Sequence, residues 1–220
     1  MFGFPASTEF NKRIAKQKFY EHINIPPSIK RSFIEQIHLI CWRNKLTTST
    51  LNLEAGENVT EVEVLELRLN TPCINEATLY FIDQKIPYHI LFILTHQNLA
   101  QSWIGYKEIS SQHKNFSKVS RYFHTPWVLQ ENLNFHINGL NIDSVYENLV
   151  RFIASNKITS KQNEPLRTTI EREELKRKLQ KRITQLESKL RSETQLNRLM
   201  LIKAELKVIS AKLETVSYES

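Results

Sequence analysis

Hydrophobic and polar positions follow several distinct rhythms along this 220-residue chain. Residues 1–27 make a polar, partly extended lead-in that Pro26 and Pro27 close, since two prolines forbid a helix from running through them. Ser28 is placed to cap a helix over SIKRSFIEQIHLI, where Ile29, Phe33, Ile37 and Ile40 recur at helical spacing. HLICWRNKL passes into strand or loop, and TSTLNL reads as a short strand. After the turn-like AGEN comes VTEVEVLELRLN, whose Val62, Val64, Leu65, Leu67 and Leu69 stand among charged residues, the strongest strand signal of the chain. Its phase stumbles at Leu65, as a bulge would make it do.

A helix is expected from Asn75 to Lys85, then a mostly apolar strand, IPYHILFILTH, of the kind covered on both faces. SWIGYKEI gives the next strand, and YFHTPWVL and NLNFHI two further strand-like pieces. IDSVYENLVRFIA turns Val145, Leu149, Phe152 and Ile153 to one side of an amphipathic helix. The polar stretch 156–166 reads as a linker. Beyond Pro165 there is no Gly or Pro, and Glu, Lys, Leu, Arg and Gln dominate, which is helix composition. The fold class is therefore α/β: a mixed-sheet globular domain over 1–155, then a helical, coiled-coil-like arm over 167–216.

In the arm, Leu175, Leu179, Ile183, Leu186 and Leu190 form one apolar stripe. Leu196, Leu199, Ile202, Leu206, Ile209, Leu213 and Val216 form a cleaner seam in a different phase. Residues 191–195 carry no apolar position. A continuous helix with a local stammer is favoured over a hairpin, because no Gly or Asn stands ready for a left-handed turn. The hairpin reading would use Ser192 and Gln195 as a capping box. On either reading the seam must be buried, so Leu199, Ile202, Leu206, Ile209 and Leu213 are the expected partner or homodimer interface.

Charge changes this picture only in the arm. The net charge is +7, and residues 172–191 hold eight basic and three acidic side chains. Lys176, Lys178, Lys181 and Arg182 are thus candidates for contacting nucleic-acid phosphates, against the plainer reading of a solvated helix face. Cys41 and Cys73 lie among apolar residues without metal-ligand spacing and read as buried free thiols, which fits a reducing cytoplasm. The longest apolar run, HILFIL, is far short of the ~20 residues of a membrane span.

Catalytic motifs are weak. No phosphate-binding glycine loop, zinc-binding helix motif or serine-nucleophile elbow occurs. The element order over about 28–95 matches that of metal-dependent nucleases in which an acid on one strand and an acid-x-Lys on the next hold a divalent ion. Asn52, Glu61, Glu63, Glu66 and Arg68 are the candidate catalytic residues on that reading. Glu61 and Glu63 would hold the Mg²⁺, and Arg68 would stabilise charge without acting as a base. Outside it, no cofactor is expected. The plainer reading makes Glu61 and Glu63, at i and i+2, the polar face of a half-exposed strand.

Several blocks together resemble a bacterial family, domain-of-unknown-function family 4391: FPASTEFNKRIAKQKFY, WRNKLTTSTLNL, EVEV, IDQKIPYHILFIL and YFHTPWVLQENLNFHINGLNIDSVYENL. The arm adds an E-x-Q-x-N-R element at Glu193, Gln195, Asn197 and Arg198. The resemblance implies a cytoplasmic protein encoded near helicases and DNA methyltransferases of restriction or phage-defence loci, and it supplies no catalytic residues. The expected function is a non-catalytic accessory protein that associates with itself or with such a helicase or methyltransferase. The alternatives are a nucleic-acid-binding module and a divergent nuclease.

Overall fold

A computed structural model describes residues 2–21, 25–109, 117–155 and 164–218, and the chain divides into two units, 1–154 and 155–220. Strand β1 (Glu9–Ile14) precedes helix α1 (Pro27–Glu35). Strand β2 (Ile37–Thr47) and one helical turn, α2 (Thr48–Leu51), lead to β3 (Glu61–Leu69). Helix α3 (Glu76–Lys85) crosses to β4 (His89–His96), followed by β5 (Leu99–Ile109), β6 (Ser117–His124), the short β7 (Val128–Leu129) and helix α4 (Ile142–Ala154). The second unit is a hairpin of two long helices, α5 (Leu166–Ser192) and α6 (Leu196–Tyr218). Most of the expected linker, 156–163, lies outside the described residues.

The sheet runs β1-β2-β3-β4-β5-β6, with β7 also on β5. Among the strand pairs of the described residues, β3 and β4 alone are parallel, joined by the α3 crossover. Successive side chains of a strand point to opposite faces. Leu65, Leu67 and Leu69 thereby join Phe33 of α1 and Leu79 and Ile82 of α3 in one core, while Val62 and Val64 are buried on the other face, where α4 packs. Strand β3 pairs with β4 in unbroken register from Val62 to Arg68, and the irregularity expected at Leu65 lies in β2, whose pairing with β3 shifts between Trp42 and Asn44, opposite Leu65 and Val64. Val64 and Leu65 are both apolar because both faces of β3 are covered.

Several sequence expectations are corrected. Helix α1 stops at Glu35, and Pro26, with no side-chain bond, occupies its N-cap position in place of Ser28. Ile37 and Ile40 belong to β2, where a register shift between Ile37 and Leu39 puts both on the core face. TSTLNL is a helical turn, because Thr47 and Thr50 cap it reciprocally and Asn52 closes it in the left-handed conformation at φ 53°. NLNFHI forms no ladder; the Phe135 amide donates to the Phe2 carbonyl at 2.9 Å and its ring stacks on Phe4. The lead-in contains a true edge strand, β1. Cys41 is half-buried and Cys73 exposed, so neither is a core thiol.

The arm is not one continuous helix. Helix α5 ends at Ser192, and three residues outside either helix reverse the chain into α6. The shorter helix, α6, is about 34 Å long at 1.5 Å per residue, and Arg182 of α5 bridges Glu205 of α6 at 2.6 Å. No left-handed residue is needed, because the Glu193 backbone at φ −81°, ψ 134° is extended.

Candidate functional site

Among the described residues of the first unit, buried ionisable side chains gather in three places. The first lies at the start of β3 on the α1/α3 face. Lys45 pairs across the ladder with Glu63. Its Nζ stands 3.5 Å from Glu61 Oε1 and 3.7 Å from Glu63 Oε1, and Trp42 Nε1 donates to the other Glu63 oxygen. The Glu63 side chain is 1% exposed. Burial above all, then its hydrogen bond to Glu61, pushes its carboxyl up to about 8 against the opposing effects of Trp42 and Lys45. Protonating Glu63 removes one negative charge from two neighbouring carboxyl groups, which a low-dielectric setting favours.

The second group lies on the opposite face, around Glu66, three residues beyond Glu63. Glu66 accepts from Arg43 Nη1 at 2.8 Å, Arg68 Nε at 3.1 Å and Thr95 Oγ1 at 3.2 Å. Strand alternation thus separates the expected nuclease set. Glu61 and Glu63 point to one face and Glu66 and Arg68 to the other, while Asn52 sits in the turn after α2, outside the sheet. Only two strands, not three, separate α1 from α3. The five residues are not brought together. Among the described residues no group of three or more His, Cys, Asp or Glu could hold a metal ion.

The third group went unseen in the sequence. Lys107 of β5 is ion-paired to Asp83 of α3 at 2.6 Å, with the two side chains 4% and 0% exposed. Lys107 Nζ also donates to the Tyr88 carbonyl at 2.6 Å, and Tyr122 Oη donates to Asp83 Oδ2 at 2.6 Å. Burial pushes the Asp83 carboxyl up, opposed by Lys107 and by the Tyr122 hydroxyl. A charged residue directly after the apolar run LYFI was the available signal, but its partners lie 24 and 39 residues away. Gly105 makes room for this group: a Cβ there would stand 3.0 Å from Tyr122 Cε1 and 3.1 Å from Asp83 Oδ2. Gly105→Ala is expected to cost about 1–3 kcal/mol, read from the midpoint of urea denaturation; an unchanged midpoint would show that the group yields freely.

Among the aromatic residues, Phe123 and Tyr122 are buried, and Trp42, Trp103 and Trp127 pack against the core. His89 is buried edge-on to Tyr146 and pushed down to about 3, chiefly by burial, which makes it a neutral structural residue.

In the second unit the expected basic residues divide. Lys176 pairs with Glu173 at 3.2 Å and Arg182 with Glu205, whereas Lys178 and Lys181 stand exposed. The seam residues Leu199, Ile202, Leu206, Ile209 and Leu213 are half-buried on the side of α6 that carries Glu205 toward α5. Leu196, expected to open the seam, is instead 71% exposed on the other side, where Met200, Leu201 and Val208, which the seam reading passed over, are 63–71% exposed.

A family model described as a domain of unknown function, DUF4391, matches residues 2–213. The chain belongs to the DUF4391 family. No curated protein and no solved structure matches it significantly. The DUF4391 match takes in the sheet unit and nearly all of the hairpin, including the reversal at 193–195. There Glu193, first residue of the E-x-Q-x-N-R element, is the cap. Its carboxylate accepts from the Thr194 and Gln195 amides at 3.0 Å each, and these bonds, Gln195 foremost, hold it below the usual carboxylate range. Arg198, the last residue of the element, stands 3.9 Å from the same carboxylate. The Ser192 capping box is not formed; its hydroxyl donates back to the Lys189 carbonyl at 3.2 Å. Among the described residues no helix is long and apolar enough to cross a membrane.

Proposed function

We propose that this DUF4391 protein is a non-catalytic accessory protein whose helical hairpin docks a partner. The exposed large apolar residues of α6 carry the reading, since Leu196, Met200, Leu201 and Val208 face water on a helix that is apolar on two sides. The charged groups of the sheet support it, because Glu66, Asp83 and Lys107 are each engaged by neighbouring side chains. Family resemblance suggests a restriction or phage-defence setting, with a helicase or DNA methyltransferase of the same locus as partner.

Co-expression of the full chain with such neighbours, followed by size-exclusion chromatography, tests this. A stable complex is expected, weakened at least tenfold by charge-introducing substitutions on the outer surface of α5 or α6 and unaffected by Glu61→Gln. Persistence of the complex in every hairpin variant, or absence of any complex, would refute the reading. The exposed Lys178 and Lys181 favour a second reading, phosphate contact, for which salt-sensitive DNA binding lost in Lys178→Glu/Lys181→Glu is the sign.

A further inference from the structure

Helix α6 has two apolar sides. One carries the half-buried seam turned to α5; the other carries Leu196, Met200, Ala204, Val208 and Ala211, spaced 4, 4, 4 and 3, with Leu201 beside them. At 100° per residue these fall on one stripe opposite the seam. All six are exposed. The two alanines leave room for another helix to approach at the short end of the 8–10 Å range of helix packing.

What borders the stripe limits what can cover it. Lys203 and Lys207 lie along one margin and Lys212 along the other, all exposed. The acid nearest the second margin, Glu205, is held by Arg182, and Glu214 lies beyond the last apolar position. A second copy fits this border poorly. In an antiparallel pair like margins meet, which brings Lys203 and Lys207 against their own counterparts. In a parallel pair opposite margins meet, which brings Lys207 against Lys212. Like charges so placed disfavour association. An apolar stripe of about 24 Å is also short of the ~800 Å² per partner of a standard interface, so it suits a single added helix.

We infer that the outer face of α6 binds an amphipathic helix from another protein whose apolar stripe is flanked by acidic residues. This rests on the reading of the hairpin as a docking element and names the chemistry of the occupant.

The probe is a three-heptad peptide with Leu at a and d and Glu at e and g, whose own acid–acid repulsion keeps it monomeric. A counterpart with Lys at e and g serves as its opposite. With the full chain, fluorescence anisotropy is expected to show binding of the Glu peptide in the micromolar range, weakening with salt, and no binding of the Lys peptide. Met200→Asp/Val208→Asp and, separately, Lys203→Glu/Lys207→Glu should each weaken it at least tenfold with unchanged circular dichroism, while Lys178→Glu/Lys181→Glu leaves it intact. Equal binding of both peptides, no binding, or loss on changing α5 alone would overturn the inference. So would a sedimenting dimer that Met200→Asp dissociates, which makes the occupant a second copy. Strong amide-exchange protection of the outer face in the unliganded chain would give the face to the chain's own first unit. A natural partner complex that breaks only with α5 variants sinks this inference and leaves the docking role standing.

Discussion

Replacing Asp83 by alanine is expected to remove most of the stability of the sheet unit. The change strands Lys107, 4% exposed, with the Tyr88 carbonyl as its remaining acceptor, and takes from Tyr122 the oxygen its hydroxyl donates to. Breaking a buried ion pair from one side costs about 3–5 kcal/mol, a large part of the ~5–15 kcal/mol that holds a typical domain. Urea denaturation should show a transition shifted far toward low denaturant or absent. The double variant Asp83→Leu/Lys107→Met should recover much of the loss, because a buried pair replaced by apolar groups of similar volume is often neutral or stabilising. A single variant within about 1 kcal/mol of the parent, or a double variant no better than the single, would show that the pair does not hold α3 to β5.

The same cluster shows where sequence patterns stop being informative. Local signals placed α3, β4 and α4 well, because each has one dominant period and clear ends: Asn75 caps α3, and α4 spans the residues its amphipathic pattern marks. Ile37 and Ile40 misled, since a β2 irregularity puts residues three apart on one face and so imitates a helical repeat. TSTLNL misled because β-branched residues suit strands, whereas the decisive feature is a reciprocal cap between Thr47 and Thr50. The reversal after Ser192 needed neither Gly nor Asn, because a carboxylate tied down the first amides of the turn. The candidate site was least legible. Glu61, Glu63, Glu66 and Arg68 are adjacent in sequence, yet two faces of the sheet divide them. Lys45, Trp42, Lys107 and Tyr122 reach their partners only through tertiary pairing.

Glu63 gives the protein a pH dependence of definite sign. Its carboxyl ionises near 4.5 in the unfolded chain and is held up to about 8 in the fold. Between those values the folded state binds more proton, so this contribution to stability falls as pH rises and levels off above about 8. His89 acts oppositely and lower down. Its ring is neutral in the fold down to about 3 but protonates near 6.5 when unfolded, so stability rises with pH across that range. The two offset each other between 4.5 and 6.5, leaving the Glu63 effect open from 6.5 to 8. At about 1.4 kcal/mol per unit, the parent should lose on the order of 2 kcal/mol there. Glu63→Gln keeps an acceptor for Trp42 Nε1 and leaves Lys45 its contact with Glu61, but carries no proton to lose. It should match the parent near pH 5 and exceed it at pH 8.5. The difference isolates Glu63, because Asp83 and His89 titrate in both proteins. Denaturation midpoints measured from pH 5 to 8.5 decide the matter: parallel profiles for the two proteins mean that Glu63 is ionised in the fold, with Lys45 neutralising it in place of a proton.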